Sequence, residues 1–514
     1  MLIVSCMSYS SNKIIAKNTM TLYLRMFLTM IVGLYTSRVV LATLGVEDFG
    51  IYSVVGGIVS MLSFINAAMS LSTSRFLTFE IGRGDVCRTQ KVFSTAFEIH
   101  IAVSLLILFL AETVGLWFVV NKLVISEDRM IAAMWVYQCS ILSMIVSVTQ
   151  VPYNAVIISH EKMNVYAYVE LLNVLLKLLV VYFLLIGKAD RLILYAVLQL
   201  CVSIFIALIY RIYSKIKYEE CRIIWMYDKH IIKPMLGFTV WSILGNVSYI
   251  GLTQGVNILL NLFFGPVVNS ARAIAVQVQT TLNSFWTNFL TAINPQIIKS
   301  YASNEVSRLH ELVSMGSLYA FFLMLIFTVP VISETPYLLK LWLNNVPDYT
   351  VVFVRLALLL SLIDCISEPL VNAIKATGVI KIYQIVVSII LLSILPISYI
   401  LFKHNYPPFY VYIINIVISI LCLFVRVYFV NNIIGISMNY FMLNVIMKAF
   451  IIGGLSFTIA YILKLFFQPS GFLFTFIFCI FLFFITVCLV FFLGLKKKER
   501  KMVYFYSNKF FTKD

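Results

Sequence analysis

Charged residues are scarce in this chain of 514 residues. Only 12% of the residues are charged, against roughly a quarter in an ordinary soluble domain, and 61% are hydrophobic. Apolar runs repeatedly reach the ~20 residues that a helix needs to cross the hydrocarbon core of a membrane. The scarcity of charge excludes most soluble functions and predicts an all-α polytopic membrane protein.

Metal-binding, redox and nucleotide-binding motifs are also lacking. The nine cysteines form no CxxC pair, and the five histidines are scattered along the chain. Neither a disulfide framework nor a zinc site is indicated, and we expect the cysteines to be packing thiols. Since no glycine-rich phosphate loop occurs either, an enzyme or an ATP-driven pump is disfavoured, and no cofactor or metal is expected.

Fourteen long apolar runs, separated by short polar loops, make up most of the chain. The first run is too long, and too poor in small residues at its end, for a cleaved signal peptide. The sequence therefore predicts about 14 transmembrane helices. The predicted spans are 17–42, 49–76, 92–120, 131–157, 164–187, 192–213, 234–263, 268–297, 309–333, 350–375, 379–402, 409–429, 444–466 and 471–495.

Basic residues indicate how these spans are oriented. Of the 38 lysines and arginines, 25 fall in one set of alternating loops and termini, and seven fall in the other set. Because cytoplasmic loops carry the excess of basic residues, both termini are predicted to be cytoplasmic. The net charge of +16 is then a topology signal, and nucleic acid is not an expected partner.

The two halves of the chain resemble each other. "PYNAVIISHEKMNVY" (Pro152 to Tyr166) matches "PLVNAIKATGVIKIY" (Pro369 to Tyr383) at a shift of 217 residues. The shift covers an even number of spans, so the repeats are predicted to be parallel, related by an axis along the membrane normal. The predicted domains are an N-terminal lobe of six spans (1–213), a cytoplasmic linker (214–233), a C-terminal lobe of six spans (234–430), and two extra helices with a basic cytoplasmic tail (431–514).

Two motifs in the first quarter of the chain resemble those of a known family. "LATLGVEDFGIY" runs from Leu41 to Tyr52, and "SRFLTFEIGRGD" runs from Ser74 to Asp85. With these motifs, the repeat and the fourteen spans, the chain resembles the bacterial polysaccharide-biosynthesis flippases. These form the O-antigen translocase branch of the multidrug/oligosaccharidyl-lipid/polysaccharide exporter superfamily, and the resemblance covers nearly the whole chain.

The resemblance implies a fold and a function. Such a flippase has two lobes around a central cavity that alternates its opening. It moves an undecaprenyl-diphosphate-linked oligosaccharide from the cytoplasmic to the periplasmic leaflet of the bacterial inner membrane, for O-antigen, capsule or exopolysaccharide assembly. The implied partners are this lipid-linked oligosaccharide, membrane lipids, H⁺ or Na⁺ as a coupling ion, and polysaccharide-assembly proteins.

Arginines within the spans are the predicted diphosphate ligands. Ionisable residues inside a membrane are costly and therefore candidates for function, and the planar fork of arginine matches phosphate oxygens. Arg25, Arg75 and Arg272, on spans 1, 2 and 8, are assigned to the diphosphate. Arg38 points to roughly the opposite side of span 1 from Arg25 and is expected to reach the headgroups.

Polar stripes on spans 7 and 8 predict a glycan-binding cavity. Their residues recur at helical spacing, so each set lies on one face of its helix. Amide and aromatic side chains suit sugar hydroxyls and rings, and the alternative is hydrogen bonding between helices. The residues are Asn246, Gln254, Asn257 and Asn261 on span 7, and Asn269, Arg272, Gln279, Asn283 and Trp286 on span 8.

A further polar face occurs on span 5. Its glutamate and lysine either neutralise each other as a structural pair or line the cavity. The face comprises Tyr166, Glu170, Asn173 and Lys177.

Two carboxylates on span 10 are candidates for ion coupling. Asp364 and Glu368 lie one turn apart just before Pro369. The backbone carbonyl freed by the proline and the two carboxylates are a possible site for a proton or a sodium ion.

Two other functions compete with the flippase. Multidrug exporters of the same superfamily usually have twelve spans and an acidic residue on the first span, where this chain has Arg25 and Arg38. A membrane glycosyltransferase or polymerase needs a catalytic loop outside the membrane, and the longest outside loop, about 333–349, has only three charged residues. The arginines of the first span favour an anionic cargo and hence the flippase.

Overall fold

The computed structural model describes most of the chain from residue 18 onward. The described ranges are 18–29, 63–122, 125–186, 190–224, 228–343, 346–467, 471–495 and 499–500, with scattered positions between 32 and 59. Arg38 lies outside the described residues, as do parts of the first two predicted spans.

All regular secondary structure in the described residues is helical, so the predicted all-α fold class is confirmed. Each predicted span overlaps one helix, and the helices are numbered accordingly. They are α1 (18–29), α2 (Ser63–Arg83), α3 (Val86–Asn121), α4 (Glu127–Ser159), α5 (Met163–Ile186), α6 (Arg191–Lys217), α7 (Lys229–Phe264), α8 (Pro266–Ala302), α9 (Val306–Leu343), α10 (Thr350–Thr377), α11 (Lys381–Lys403), α12 (Tyr410–Ile434), α13 (Met438–Phe467) and α14 (Phe472–Gly494).

Eleven of these helices are long and apolar enough to cross a membrane. The other three are α1, whose described part is short, and α2 and α8, which are less apolar. Helix α8 is 37 residues long, so its polarity and not its length sets it apart. The chain is therefore a multi-pass membrane protein with one long helix that is unusually polar.

The described residues form two compact units. Unit 1 holds the chain up to Val247, together with Pro295–Glu305 and Gly378–Gln384. Unit 2 holds Ser248–Asn294, Val306–Thr377 and the chain from Ile385 onward. Helices α7, α8 and α11 each cross from one unit to the other, so unit 1 contains one end of three helices from the second half of the chain.

The motif from Leu41 to Tyr52 is held within unit 1 by ionic hydrogen bonds of Asp48. Asp48 belongs to this motif and is buried, and Arg129 at the start of α4 donates hydrogen bonds to its carboxylate. Arg129 also pairs with Asp190, the N-cap of α6, at 2.5 Å. Burial opposes ionisation of Asp190, but hydrogen bonds from Ile193 and Arg129 outweigh it and lower the pKa of this carboxyl. The motif thus joins the α1–α2 connection to α4 and α6.

The segment between α6 and α7, predicted to be a linker, packs on unit 1. Tyr218 stacks on the ring of His160, with ring centroids 4.3 Å apart, and Glu220 contacts His160 Nε2 at 2.5 Å. Although burial opposes it, this contact lowers the pKa of Glu220. The backbone N–H of Ile224 donates to Ser94 at 3.0 Å. These contacts fix the connection against α3, which holds Ser94, and against the α4–α5 turn, in which His160 lies.

Helices α13 and α14, which have no counterpart in the repeat, belong to unit 2. Gly453 of α13 lies so close to Phe321 of α9 that a β-carbon there would be 3.2 Å from the ring. Lys464, near the far end of α13, pairs at 2.9 Å with the buried Glu334 at the kink of α9. Close packing and this ion pair fasten α13 along α9.

Candidate functional site

A tight turn brings α7 and α8 side by side in unit 2. Gly265 joins the two helices with a φ of +78°, a conformation that glycine adopts without a steric penalty, and its N–H donates to the carbonyl of Asn261 at 2.9 Å. Asn257 precedes this turn by about as many residues as Arg272 follows it. The two side chains therefore lie at the same depth on adjacent helices.

Arg272 is the centre of a polar cluster at this depth. Its guanidinium donates to Oδ1 of Asn257, and the amide of Asn257 donates to Gln254 at 3.2 Å. Tyr249 of α7 and Tyr412 of α12 lie close to the guanidinium. Three predicted residues from two helices are thus brought together, and the partners of Arg272 are neutral amide and phenol groups.

Gln279, Asn283 and Trp286, also predicted on α8, make contacts within unit 2. Gln279 donates to the carbonyl of Ala357 at 3.1 Å and to the hydroxyl of Ser361 at 3.0 Å, both on α10. Trp286 is buried and donates to Asn283 at 3.0 Å. For Gln279, the geometry is the hydrogen bonding between helices that was the alternative to a cavity.

A different face of α8 is exposed. Its hydroxyls donate to carbonyls of their own helix, as Ser270 does to Val267 at 2.7 Å and Thr280 does to Gln277 at 3.1 Å. With the proton used inside the helix, each hydroxyl oxygen faces outward as an acceptor. The exposed residues of this face are Ser270, Gln277, Thr280, Thr281 and Thr287, and Gln254 and Asn261 are exposed on α7.

Sequence reasoning missed the exposed face because serine and threonine are common in membrane helices and serve close packing.

Two predicted lining residues lie elsewhere. Lys177 and Asn246 belong to unit 1, where Lys177 is exposed and Asn246 is half-buried.

Arg25 lies in a second polar cluster, in unit 1. Its guanidinium is 4.9 Å from the ring centroid of Tyr166 on α5. Tyr210 of α6 donates to Glu170 of α5 at 3.3 Å, and both Glu170 and Arg25 lie near Tyr166. The predicted face of α5 thus contacts α1 through Tyr166 and α6 through Glu170.

Arg211 of α6 lies inside the predicted span 192–213, but it was counted with the adjoining cytoplasmic loop because it is close to the span end. It donates to the hydroxyl of Thr149 at 2.7 Å and lies 6.0 Å from the ring centroid of Tyr153, both on α4. The helix continues to Lys217, beyond the predicted span end, which places Arg211 within it. A hydropathy pattern defines span ends too loosely to distinguish these positions.

Arg75 is buried, at 7% exposure, among aromatic rings of unit 1. Its guanidinium carbon lies 4.5 Å from the ring centroid of Phe76, 4.9 Å from that of Phe79 and 5.9 Å from that of Phe238. A β-carbon on Gly378 would be only 2.7 Å from Arg75 Nη2. The guanidinium is thus enclosed by ring faces and by the backbone of the α10–α11 turn.

The two predicted coupling carboxylates lie near a cation. Asp364 and Glu368 of α10 are close to each other, and Arg426 of α12 is the charged group with the largest effect on Asp364. Tyr249, which lies beside Arg272, is also near Asp364. Arg426 lies inside the predicted span 409–429 and was counted with the adjoining loop, whereas α12 continues to Ile434 and places Arg426 two turns before its end.

Comparisons with known proteins show the fold of the chain. It superposes on an outward-facing multidrug resistance MATE transporter of the MOP superfamily with a TM-score of 0.72 and 13% identity, over 83% of this chain and 96% of that one. A MATE protein in the bent conformation superposes with a TM-score of 0.71 and 13% identity, over 82% of this chain and 96% of that one. A MOP superfamily transporter from Pyrococcus furiosus superposes with a TM-score of 0.66 and 14% identity, over 82% of this chain and 96% of that one. The reversed polarity of that protein's binding pocket suggests a different function for it.

No family model and no curated protein matches the sequence. At 13–14% identity the structural likeness shows the fold alone. The chain has the architecture of MOP superfamily transporters.

Proposed function

We propose that the protein is a flippase of the bacterial inner membrane. It moves an undecaprenyl-diphosphate-linked oligosaccharide from the cytoplasmic to the periplasmic leaflet by alternating access. The observation that carries this proposal is Arg272, an arginine near the start of α8 whose partners are the amide of Asn257 and two nearby phenols. These partners orient the guanidinium without neutralising it, which suits an anionic ligand.

Arg25 and Arg272 are the proposed diphosphate ligands, one in each unit. A diphosphate carries about two negative charges, and the planar fork of each arginine can bind phosphate oxygens with paired hydrogen bonds. The aromatic enclosure of Arg75 favours a packing role for that residue over diphosphate binding.

The exposed face of α8 and the amides of α7 are the proposed glycan contacts. Outward-facing hydroxyl oxygens accept hydrogen bonds from sugar hydroxyls, and the exposed amides of Gln254 and Asn261 both donate and accept. The surface is uncharged, which suits a neutral glycan attached to a charged head. Gln279, Asn283 and Trp286 support this face through packing on its far side.

A cation-coupled multidrug exporter is the second candidate function, and Asp364 is the observation that favours it. This acidic residue lies on α10 near Glu368 and Arg426, and the first structural relative is a multidrug resistance transporter. In the flippase proposal, the same carboxylates bind H⁺ or Na⁺ as the coupling ion. Cargo, and not the coupling site, therefore separates the two functions.

Deleting the gene tests the proposal. We expect loss of a surface glycan together with accumulation of lipid-diphosphate-linked repeat units on the cytoplasmic face of the membrane. Unchanged surface glycan with raised sensitivity to lipophilic cations would instead indicate the drug exporter. Loss of the glycan without accumulation of the complete repeat unit would indicate an earlier biosynthetic enzyme.

A further inference from the structure

The turn between α4 and α5 has an unusual conformation. Glu161 adopts a φ of +59°, in the left-handed region that favours glycine or asparagine. The N–H groups of Glu161 and Lys162 donate to the carbonyls of Ile158 and Ile157, closing the end of α4. Glycine would close this turn with less strain, so the glutamate side chain invites a functional explanation.

The carboxylate of Glu161 is held by α8. Its side chain is only 9% exposed, and Lys299 Nζ lies 2.5 Å from Oε1. Gln296, one turn earlier on α8, donates to Oε2, and the backbone carbonyl of Glu161 accepts from Asn18 of α1 at 3.0 Å. Both carboxylate oxygens are therefore bonded to one end of α8, and all of these residues belong to unit 1.

Helix α2 packs against the same end of α8. A β-carbon on Gly82 would be 3.0 Å from the backbone of Lys299 and 3.1 Å from Ala302. The rings of Phe79 and Tyr301 lie 6.2 Å apart. Elements from the first half of the chain thus enclose an end of a helix from the second half.

The repeat relates this contact to a second one. The shift of 217 residues places Glu161 opposite Gly378, and both lie at the tip of a turn with positive φ, +59° and +81°. Gly378, in the α10–α11 turn, lies against Arg75 of α2. Each turn therefore meets the second helix of the other repeat, α8 in one case and α2 in the other.

The two contacts differ in chemistry. At the Glu161 turn, the turn supplies a carboxylate and the helix supplies a cation. At the Gly378 turn, the helix supplies the cation and the turn supplies only backbone, because a side chain would occupy the place of the Arg75 guanidinium. Only the Glu161 contact is an ion pair, so only this contact can be broken and remade by charge.

We infer that these two contacts form a clamp on the side that the basic loops assign to the cytoplasm, with the Glu161–Lys299 pair as its reversible latch. The inference rests on the proposed alternating access, in which this side must open in each cycle. In the clamped state the latch holds the ends of α1, α2 and α8 together. Opening requires the part-buried pair to separate and both charges to become fully hydrated.

Ser72 offers a reporter of the clamp that needs no substrate. It lies on α2, is 1% exposed, and donates to the carbonyl of Met235 on α7 at 3.3 Å. In a variant that lacks the native cysteines, Ser72→Cys should react slowly with a maleimide added to inside-out vesicles. Glu161→Lys, which places two cations together, should raise the labelling rate several-fold, and Glu161→Gln should raise it less because Gln296 can still donate.

The double variant Glu161→Lys/Lys299→Glu restores an ion pair of reversed order and should return labelling to the original rate. Glu311→Lys is the matched control, since it breaks the Arg308–Glu311 pair of 2.7 Å in the first turns of α9 and should leave labelling unchanged. Unchanged labelling in Glu161→Lys, or failure of the double variant to restore shielding, overturns the inference. Glycan export decides the proposed function separately, because labelling is independent of cargo.

Discussion

Three arginines of this protein, Arg129, Arg75 and Arg272, differ in how their charges are compensated. Arg129 pairs with two carboxylates, Arg75 lies among ring faces, and Arg272 is bound by an amide. Carboxylates or ring faces compensate the positive charge of a guanidinium within the protein. A neutral amide bonds to the guanidinium without compensating its charge, which stays available to an anionic ligand. This difference singles out Arg272 as a ligand for an anion.

The first prediction concerns Arg272. Arg272→Ala should abolish glycan export at normal protein abundance, because losing one partner of a desolvated charged contact costs roughly 2–5 kcal/mol, or more than tenfold in affinity. Arg272→Lys should retain part of the export, since a point charge survives without the fork. Lys403→Ala, at the exposed last residue of α11, is the control. Export by Arg272→Ala equal to wild type would remove Arg272 from the site.

Residue patterns predicted part of this site. The cluster of Gln254, Asn257 and Arg272 follows from helical periodicity and from a glycine turn that sets two helices in register. The ends of the helices that carry Arg211 and Arg426 were predicted too early, because the apolar core of a helix does not show where the helix ends. The Glu161–Lys299 pair joins residues 138 apart and depends on tertiary packing, which no local pattern contains.

At the scale of the helix, α8 presents one packed and one exposed polar face. Gln279 belongs to the packed face and bonds to α10, whereas Gln277 belongs to the exposed face. Gln279→Ala should lower the stability of the purified protein by roughly 1 kcal/mol or more, because the carbonyl of Ala357 and the hydroxyl of Ser361 lose their donor. Gln277→Ala should leave the midpoint of thermal unfolding in detergent unchanged. Equal midpoints for both variants would contradict the assignment of the two faces.

The turn at Gly378 gives a second prediction for an element. Gly378→Ala places a methyl group 2.7 Å from Arg75 and should raise the labelling of Ser72→Cys by loosening the clamp. Gly435→Ala is a close control, because Gly435 has the same φ of +81° but nothing within 4 Å of its missing β-carbon. Both variants carry the backbone penalty of a non-glycine residue, and only Gly378→Ala carries the clash. Equal labelling in the two variants would exclude the contact with Arg75.

Helix positions were predictable because hydropathy responds directly to the thickness of the membrane core. Hydropathy alone does not identify α8 as a membrane-spanning helix, because its polar faces lower its mean hydropathy although the helix is 37 residues long. Periodicity found a polar face on α8 but could not tell which polar residues bond to a neighbouring helix. That distinction requires the position of α10, which supplies the partners of Gln279.

At the scale of the whole molecule, the charge distribution predicts topology. In a variant without native cysteines, His404→Cys should react with an impermeant maleimide in intact cells, and Ser303→Cys should react only after the membrane is opened. Both positions are exposed in their loops, so the side of the membrane on which each one lies decides whether the reagent reaches it. Labelling of Ser303→Cys in intact cells would reverse the orientation and place the Glu161 clamp on the opposite side.

The division into two units follows three-dimensional contacts and not the order of the chain. The repeat predicted two lobes of six spans each, whereas unit 1 also contains ends of α7, α8 and α11. Pro295, which cannot donate a helical hydrogen bond, lies where α8 passes from unit 2 to unit 1. Such crossing helices are not visible in a linear pattern, because the contacts that define the units connect distant residues.

Transport by the purified protein tests the central claim most directly. The protein is reconstituted into liposomes that contain an undecaprenyl-diphosphate-linked oligosaccharide with a fluorescent glycan, and an impermeant quencher reports how much glycan is on the outer leaflet. Wild type and Lys403→Ala should bring inner-leaflet glycan to the quencher rapidly, whereas Arg272→Ala should behave like liposomes without protein. Wild-type liposomes that quench no more than protein-free liposomes, under an imposed H⁺ or Na⁺ gradient, would contradict the proposed function.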